Sequence, residues 1–341
     1  MKKRTKSLVL LLILLAVLVA AFLTLRLINA AKARREAEQD AASLIGAVAA
    51  DPTELVCVRE GEELRFTLDG DVWRLAEEPD LPLTQTYVTR LVTTAQKLSA
   101  ERELPVPEDL GEYGLDDPSC ELRITDAGGG VWDLLIGGRA GENRYAMLAG
   151  GDAVYTISST LAEYLNTDLM SMVKLDTMQP VTEDDLRAIE LTGPDSAFTF
   201  EKVTMANGSY TWYANVDGVR GDQIEVYAPQ GLEEPAKDLL DRAVSALKNQ
   251  SFVKCVDFRP EDPAAYGLHT PRCTVRVAYT LTGDDKTRTN GEYTLRIGAQ
   301  VDDAETGETY YYAALEGSDM VCTLEASDVE PLLHALELLG V

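Results

Sequence analysis

The chain has 341 residues and is 45% hydrophobic, enough apolar material for a sizeable core and, by the usual size of domains, for two of them. Its 31 lysines and arginines stand against 57 aspartates and glutamates, a net charge of −26. A surface this acidic repels phosphate backbones and anionic lipid headgroups, which argues against nucleic acid as a partner and against a globular part lying flat on a membrane.

The charge is unevenly placed. Residues 1–40 hold eight basic and three acidic side chains, so the rest of the chain carries −31. Residues 1–6 read as a basic cytoplasmic tail. From Ser7 to Ile28 the chain is almost wholly apolar, broken only by Thr24 and Arg26. As a helix this run spans about 33 Å at 1.5 Å per residue, against about 30 Å for a bilayer core. It is too long for the apolar part of a signal peptide, and Asn29-Ala30-Ala31 is a poor cleavage site, so the expectation is an uncleaved transmembrane helix over residues 7–28. Basic residues flank both ends: Lys2, Lys3, Arg4 and Lys6 on one side, Lys32, Arg34 and Arg35 on the other. The N-terminus is placed inside because a short tail is easily retained, and the acidic bulk suits an extracytoplasmic domain. Residues 29–50, rich in Ala, Glu and Arg, read as a helical stalk that Asp51-Pro52 ends.

A first module is expected over residues 51–176. Glu54 to Val58 looks like a strand. Leu64, Phe66 and Leu68 alternate with polar residues, the period of a half-buried strand, and Val72 to Leu75 returns after Asp69-Gly70-Asp71 as its hairpin partner. Thr84 starts a helix whose apolar stripe is Val88, Leu91, Val92, Ala95 and Leu98. A Pro-rich loop, Leu104 to Pro107, leads to Tyr113-Gly114-Leu115-Asp116-Asp117-Pro118-Ser119-Cys120. Four strands follow, separated by turns at Gly128-Gly129-Gly130, Gly137-Gly138 and Gly150-Gly151. Their closeness requires an antiparallel meander. A short helix begins at Ser159 or Thr160.

After a connector the same order returns over residues 177–341. The hairpin carries Trp212 where the first carries Trp73, and a helix holds Leu239, Leu240, Ala243, Val244 and Leu247. Phe252 to Phe258 reads as an additional extended piece. Then comes Tyr266-Gly267-Leu268-His269-Thr270-Pro271-Arg272-Cys273, four more strands and a closing helix from Ser327 or Asp328. Tyr, Gly, Leu, Pro and Cys keep their offsets in both octapeptides, and Ile136-Gly137 matches Ile297-Gly298. Agreement in order along the whole segment marks an internal repeat. The expected fold class is therefore α+β: a transmembrane helix followed by two repeated modules of mainly antiparallel sheet with packed helices.

The repeated turns have a structural explanation. Gly114 and Gly267 permit positive φ or close approach. Leu115 and Leu268 plug the core, Tyr113 and Tyr266 pack over a sheet edge, and Pro118 and Pro271 lead into the next strand. Chemistry is harder to find. The two histidines, His269 and His334, sit in no metal-binding spacing, and no nucleophile elbow or phosphate-binding loop occurs. Neither a catalytic residue nor a cofactor or metal is implied. Asp116-Asp117, Glu183-Asp184-Asp185 and Asp302-Asp303 offer carboxylates, but adjacent acids on loops are usually solvated. The five cysteines, Cys57, Cys120, Cys255, Cys273 and Cys322, form no Cys-x-x-Cys pair and read as small buried side chains.

The Trp-bearing hairpins, the two Tyr-Gly-Leu-x-x-Pro turns and the Ile-Gly strand ends resemble the bacterial family known as domain of unknown function 4340. The resemblance implies an envelope protein with one N-terminal membrane helix, of a kind often encoded beside ABC-type exporter components, and carries no catalytic residues. The expected function is thus that of a non-enzymatic, membrane-anchored extracytoplasmic protein, a binding or accessory subunit with a protein partner in the envelope such as ABC-type transporter components. The competing expectation is a surface glycan-binding protein or hydrolase using acids between the modules. A purely structural spacer is a third.

Overall fold

The computed structural model describes residues 26, 44–46, 51–216, 218–230, 232, 234–304 and 306–340. The tail at 1–6, the apolar segment 7–28 apart from Arg26, and most of the stalk lie outside these residues. Within the stalk segment, residues 44–46 form a β-bridge followed by a bend rather than a helix. Leu44 bridges Ser99, and Ile45 is buried, its N–H donating to the Leu98 carbonyl at 3.0 Å and its carbonyl accepting from the Trp132 indole at 2.9 Å.

The chain divides into two units, Met1–Thr167 and Asp168–Val341. The first contains β1 (Pro52–Arg59), β2 (Glu62–Asp69), β3 (Val72–Leu75), α1 (Gln85–Gln96), β4 (Arg102–Pro105), a 3-10 turn (Leu110–Tyr113), β5 (Cys120–Asp126), β6 (Val131–Ala140), β7 (Asn143–Leu148), β8 (Ala153–Ser158) and α2 (Thr160–Leu165). Its strands form one antiparallel sheet in the order β3-β2-β1-β5-β6-β7-β8-β4. Register places Phe66 across from Leu55, Leu55 from Ile124, and Ile124 from Trp132, so one sheet face is a continuous apolar surface. The stripe Val88, Leu91, Val92 and Ala95 of α1 is buried, as the helical spacing requires. Gln85 ties that helix to the hairpin: the Trp73 N–H donates to its side chain at 2.7 Å, and its amide donates to the Trp73 carbonyl at 3.0 Å.

The second unit contains a 3-10 turn (Leu169–Met172), β9 (Leu186–Thr192), β10 (Ala197–Thr204), β11 (Tyr210–Val216), β12 (Val219–Gln223), α3 (Ala236–Asn249), β13 (Cys255–Phe258), a 3-10 turn (Pro263–Tyr266), β14 (Cys273–Thr282), β15 (Arg288–Asp302), β16 (Thr309–Leu315), β17 (Met320–Glu325) and α4 (Ala326–Leu339). Its sheet order is β12-β11-β10-β9-β14-β15-β16-β17-β13. Once β12 is set aside as an added edge strand, this is the first unit's topology strand for strand. Helices α3 and α4 pack on each other, with Leu239, Leu240, Ala243, Leu332, Ala335 and Leu336 buried.

Several expectations are corrected. Strand outweighs helix: the described residues are mostly two large antiparallel sheets with few helices, so the fold is chiefly antiparallel β rather than α+β behind a transmembrane helix. No helix among the described residues is long and apolar enough to cross a membrane. The sequence underestimated strand because Leu104 and Pro105, read as the start of a loop running to Pro107, belong to the edge strand β4 paired with β8. Proline is tolerated on a sheet edge, where one side of the strand makes no ladder bonds. Its counterpart β13 is the segment read as an additional piece. Gly137-Gly138 is no turn: it lies within β6, where the pairing with β7 shifts register between Ile136 and Arg139.

Candidate functional site

On the sheet face opposite the helices, each unit has a corner built from the repeated turn. In the first, the 3-10 turn ends at Gly114, which is left-handed at φ 64°, and in the second at Gly267, at φ 69°. An aspartate begins each turn: Asp109 accepts the Gly111 N–H at 2.9 Å and Asp262 the Ala264 N–H at 3.0 Å. The sequence comparison overlooked this pair of aspartates, although both stand four residues before the tyrosine. Backbone bonds then close the loop, from Leu115 N–H to the Leu110 carbonyl at 3.0 Å and from Leu268 N–H to the Pro263 carbonyl at 3.2 Å.

The turn rests on the Ile-Gly bulge of the sheet. A Cβ on Gly137 would overlap the Tyr113 carbonyl oxygen, and one on Gly298 that of Tyr266. In return, a Cβ on Gly114 would lie 3.1 Å from the Gly138 nitrogen, and one on Gly267 2.8 Å from that of Ala299. Two glycine motifs that look independent along the chain are therefore the two halves of one contact. Pro118 and Pro271 are half-buried beside it. Beyond them the Ser119 hydroxyl donates to the Ile136 carbonyl at 3.0 Å, while the Arg272 N–H donates to that of Ile297 at 2.8 Å.

Beneath the turns the two copies part company. Leu115 and Leu268 are both buried, and each corner has a tyrosine pair: Tyr113 stacks on Tyr145 with centroids 4.3 Å apart, and Tyr266 meets Tyr312 edge-on at 5.1 Å. In the first copy the space around Leu115 is filled by Met147, Val154, Leu104, Leu110 and Leu135. In the second, Val321 still matches Val154, but strand register and turn position put Asp257 where Leu104 stands, Pro263 where Leu110 stands, Arg296 where Leu135 stands and Ala314 where Met147 stands. An apolar cluster has become a polar-edged hollow of about 330 Å³.

Its electrostatics are specific. Arg259 at the rim is held at φ 56°, a region that residues other than glycine rarely enter, and its guanidinium pairs with Asp319 at 3.0 Å. The Nε of Arg296 is buried with no hydrogen-bond partner. Nearby, the Tyr266 hydroxyl donates to Asp257 at 2.6 Å, and that bond, with burial and the carboxylate charge, pushes the phenol up to about 12. A hollow of about 660 Å³ along the outer face of α1 is larger, but none of its lining residues has a buried polar atom without a partner. There the Thr93 hydroxyl donates to the Thr89 carbonyl, and Arg90 lies over the Tyr164 ring.

The carboxylates singled out in the sequence do not converge within either unit. Asp116 and Asp117 are exposed on the first turn. Glu183 accepts from Tyr210 and Asp185 from Thr182, while Asp302 and Asp303 organise their own hairpin. His269 is exposed, and His334 lies 2.8 Å from Glu234. Among the described residues no group of three or more His, Cys, Asp or Glu is placed to hold a metal. All five cysteines are buried and free, and burial pushes the thiols of Cys57 and Cys273 up to about 12, far from a reactive thiolate.

Against this geometry, a family model described as "Domain of unknown function (DUF4340)" matches residues 73–271, which runs from Trp73 through the second Trp-bearing hairpin and takes in both Tyr-Gly-Leu turns. No curated protein and no solved structure matches the chain.

Proposed function

Because the chain belongs to the DUF4340 family, for which no activity is defined, we propose its role from the corners themselves: a non-enzymatic accessory or binding subunit of an envelope assembly, attached to the membrane, with its bulk outside the cytoplasm. The observation that carries this reading is the divergence of the two corners. One copy keeps a packed leucine–methionine cluster, as a scaffold needs, and the other has exchanged it for a hollow with an unsatisfied arginine. Duplication followed by loss of packing in one copy trades stability for recognition, the expected pattern of a binding module. Membrane attachment is supported by the apolar run of residues 7–28 and the export of the remainder by its charge of −31. An ABC-type transporter component is the class of partner that family membership favours.

The test is crosslinking in intact cells with a photoreactive residue placed at Pro260, on the rim of the hollow. The expected result is one defined adduct with an envelope protein, identified by mass spectrometry as a transporter component, and protease accessibility of the bulk from outside the membrane. A chain that stays monomeric at every crosslinker dose, or that fractionates with the cytoplasm, overturns the reading.

A further inference from the structure

We infer that the hollow beside the second corner recognises a monocarboxylate bearing a small apolar body. This deepens the proposal above and rests on it. The volume, about 330 Å³, sits at the small end of ligand sites, which run from about 300 Å³ upward. Leu268, Ala314 and Val321 form an apolar floor, and Pro260, Pro263 and Met320 border it. The charged lining is Arg259, Arg296 and Asp319. Asp319 is paired with Arg259 and Asp257 accepts from the Tyr266 hydroxyl, so neither carboxylate pairs with Arg296.

Arg65, Arg74, Arg123, Arg220, Arg242 and Arg276 each have a carboxylate within 4.0 Å. Arg102, Arg139, Arg187 and Arg288 make no ion pair among the described residues but are exposed to water, so what sets Arg296 apart is burial. Among the described residues Arg296 makes no ion pair, although its Nε has lost its access to water. A buried, unpaired guanidinium nitrogen is costly, and a carboxylate satisfies it best because the planar fork matches two oxygens. A dianion fits less well. One unpaired cation faces it, the Asp319 carboxylate is already at the rim, and the acidic surface opposes a second negative charge. The first corner serves as an internal control: with Leu135 and Met147 at the corresponding positions it has neither the charge nor the space.

The carboxylate has two sources with one chemistry: a free amino-acid-sized acid, or the C-terminus of a peptide. The full chain is titrated calorimetrically with N-acetyl-leucine, N-acetyl-leucinamide, a pentapeptide ending in a free leucine carboxylate, its amidated form, and inorganic phosphate. Both acids are expected to bind at least about tenfold more tightly than their amides, the difference one charge-assisted hydrogen bond supplies. The tighter of the two acids identifies the source. Arg296→Leu and Ala314→Met install the first corner's residues and are each expected to weaken acid binding at least about tenfold. Their melting temperatures should hold or rise, since both replacements add apolar packing. Equal binding of acid and amide, no binding of either, preference for phosphate, or full binding by Arg296→Leu overturns the assignment. The two proposals fail separately. A silent titration beside a captured envelope partner removes only the ligand class. Carboxylate binding by a chain that captures no partner removes the subunit reading.

Discussion

Gly298 is where a single methyl group has most to disturb. Its Cβ would overlap the Tyr266 carbonyl oxygen, a backbone atom that cannot swing aside, so the turn has to lift off the bulge. Gly298→Ala is expected to cost about 3 kcal/mol, the upper end for overpacking, read from the urea midpoint. Gly317→Ala is the comparison, at φ 81° with open space around it, where strain alone costs about 1 kcal/mol. Equal losses would show that the turn does not rest on the bulge. The cysteines supply a second residue-scale expectation. Cys255 and Cys322 face each other across β13 and β17, beside the hydrogen-bonded position where Thr323 meets Val253 and Lys254. The pair is therefore of the type without mutual backbone bonds, with Cα atoms about 4.5 Å apart, inside the range a disulfide accepts. The Cys322 side chain also holds the Cys255 thiol below its ordinary value, as a neighbour across the strand pair does. Treatment with oxidised glutathione should join them. Their sulfurs bond, the glutathione disulfide breaks, and two reduced glutathiones leave with the electrons and protons. Peptide mapping without reductant should recover the 255–322 link; alkylation of both thiols after unfolding would refute it. Of these features the sequence displayed the Tyr-Gly-Leu and Ile-Gly motifs, because each is local. Their contact was hidden, since a pleated sheet brings together segments that have no spacing rule between them. The apposition of Cys255 and Cys322 was hidden for the same reason.

At the scale of elements the two corners make a matched pair for measuring packing. Leu115 is enclosed by Met147, Val154 and three further leucines, whereas Leu268 already borders a hollow. The cost of truncating a buried leucine grows with the new cavity and falls where the surroundings were loose. Leu115→Ala should therefore cost about 4 kcal/mol and Leu268→Ala about 2 kcal/mol, within the range for such changes. Separate fluorescence reporters on Trp132 and Trp212 in denaturant titrations would resolve the two units; the reverse order would mean that the hollow is not intrinsic to the fold. Elements with a strong period were legible beforehand. Strand β3 runs from Val72 to Leu75 as alternation and the Asp-Gly-Asp turn indicated, and the stripe of α1 is buried residue for residue from Val88 to Ala95. Edge strands were not. Arg102–Pro105 has four residues, two of them charged and one a proline, so neither periodicity nor propensity marks it, and only its pairing with β8 makes it a strand. The hollow was illegible too. Arg296 on a strand resembles any other polar position until register shows that it replaces Leu135.

Over the whole molecule the shared strand order is only partly carried by the sequence: β1 to β3 and β5 to β8 lie beside their chain neighbours, as a meander requires, whereas the pairing of β1 with β5 and of β4 with β8 joins strands distant in the chain. Charge is the other whole-molecule property, and it sets two effects of salt against each other. Exposed pairs such as Arg276 with Glu190 and Glu292, or Arg123 with Asp133, are weakened by salt, but each is worth at most about 1 kcal/mol. The self-repulsion of a net charge of −26 acts over every acidic side chain and destabilises the compact state. Salt at about 0.1 M screens charges more than about 10 Å apart, so it removes the long-range repulsion and leaves much of the attraction within close pairs. The melting temperature of the full chain is therefore expected to rise by several degrees between about 0.01 M and 0.3 M sodium chloride. The rise should be monotonic and equal for potassium chloride, since screening depends on ionic strength and not on the cation. A fall would mean that the surface pairs outweigh the repulsion. A rise confined to divalent cations would mean that a cluster of carboxylates binds metal, which the dispersed acids among the described residues argue against.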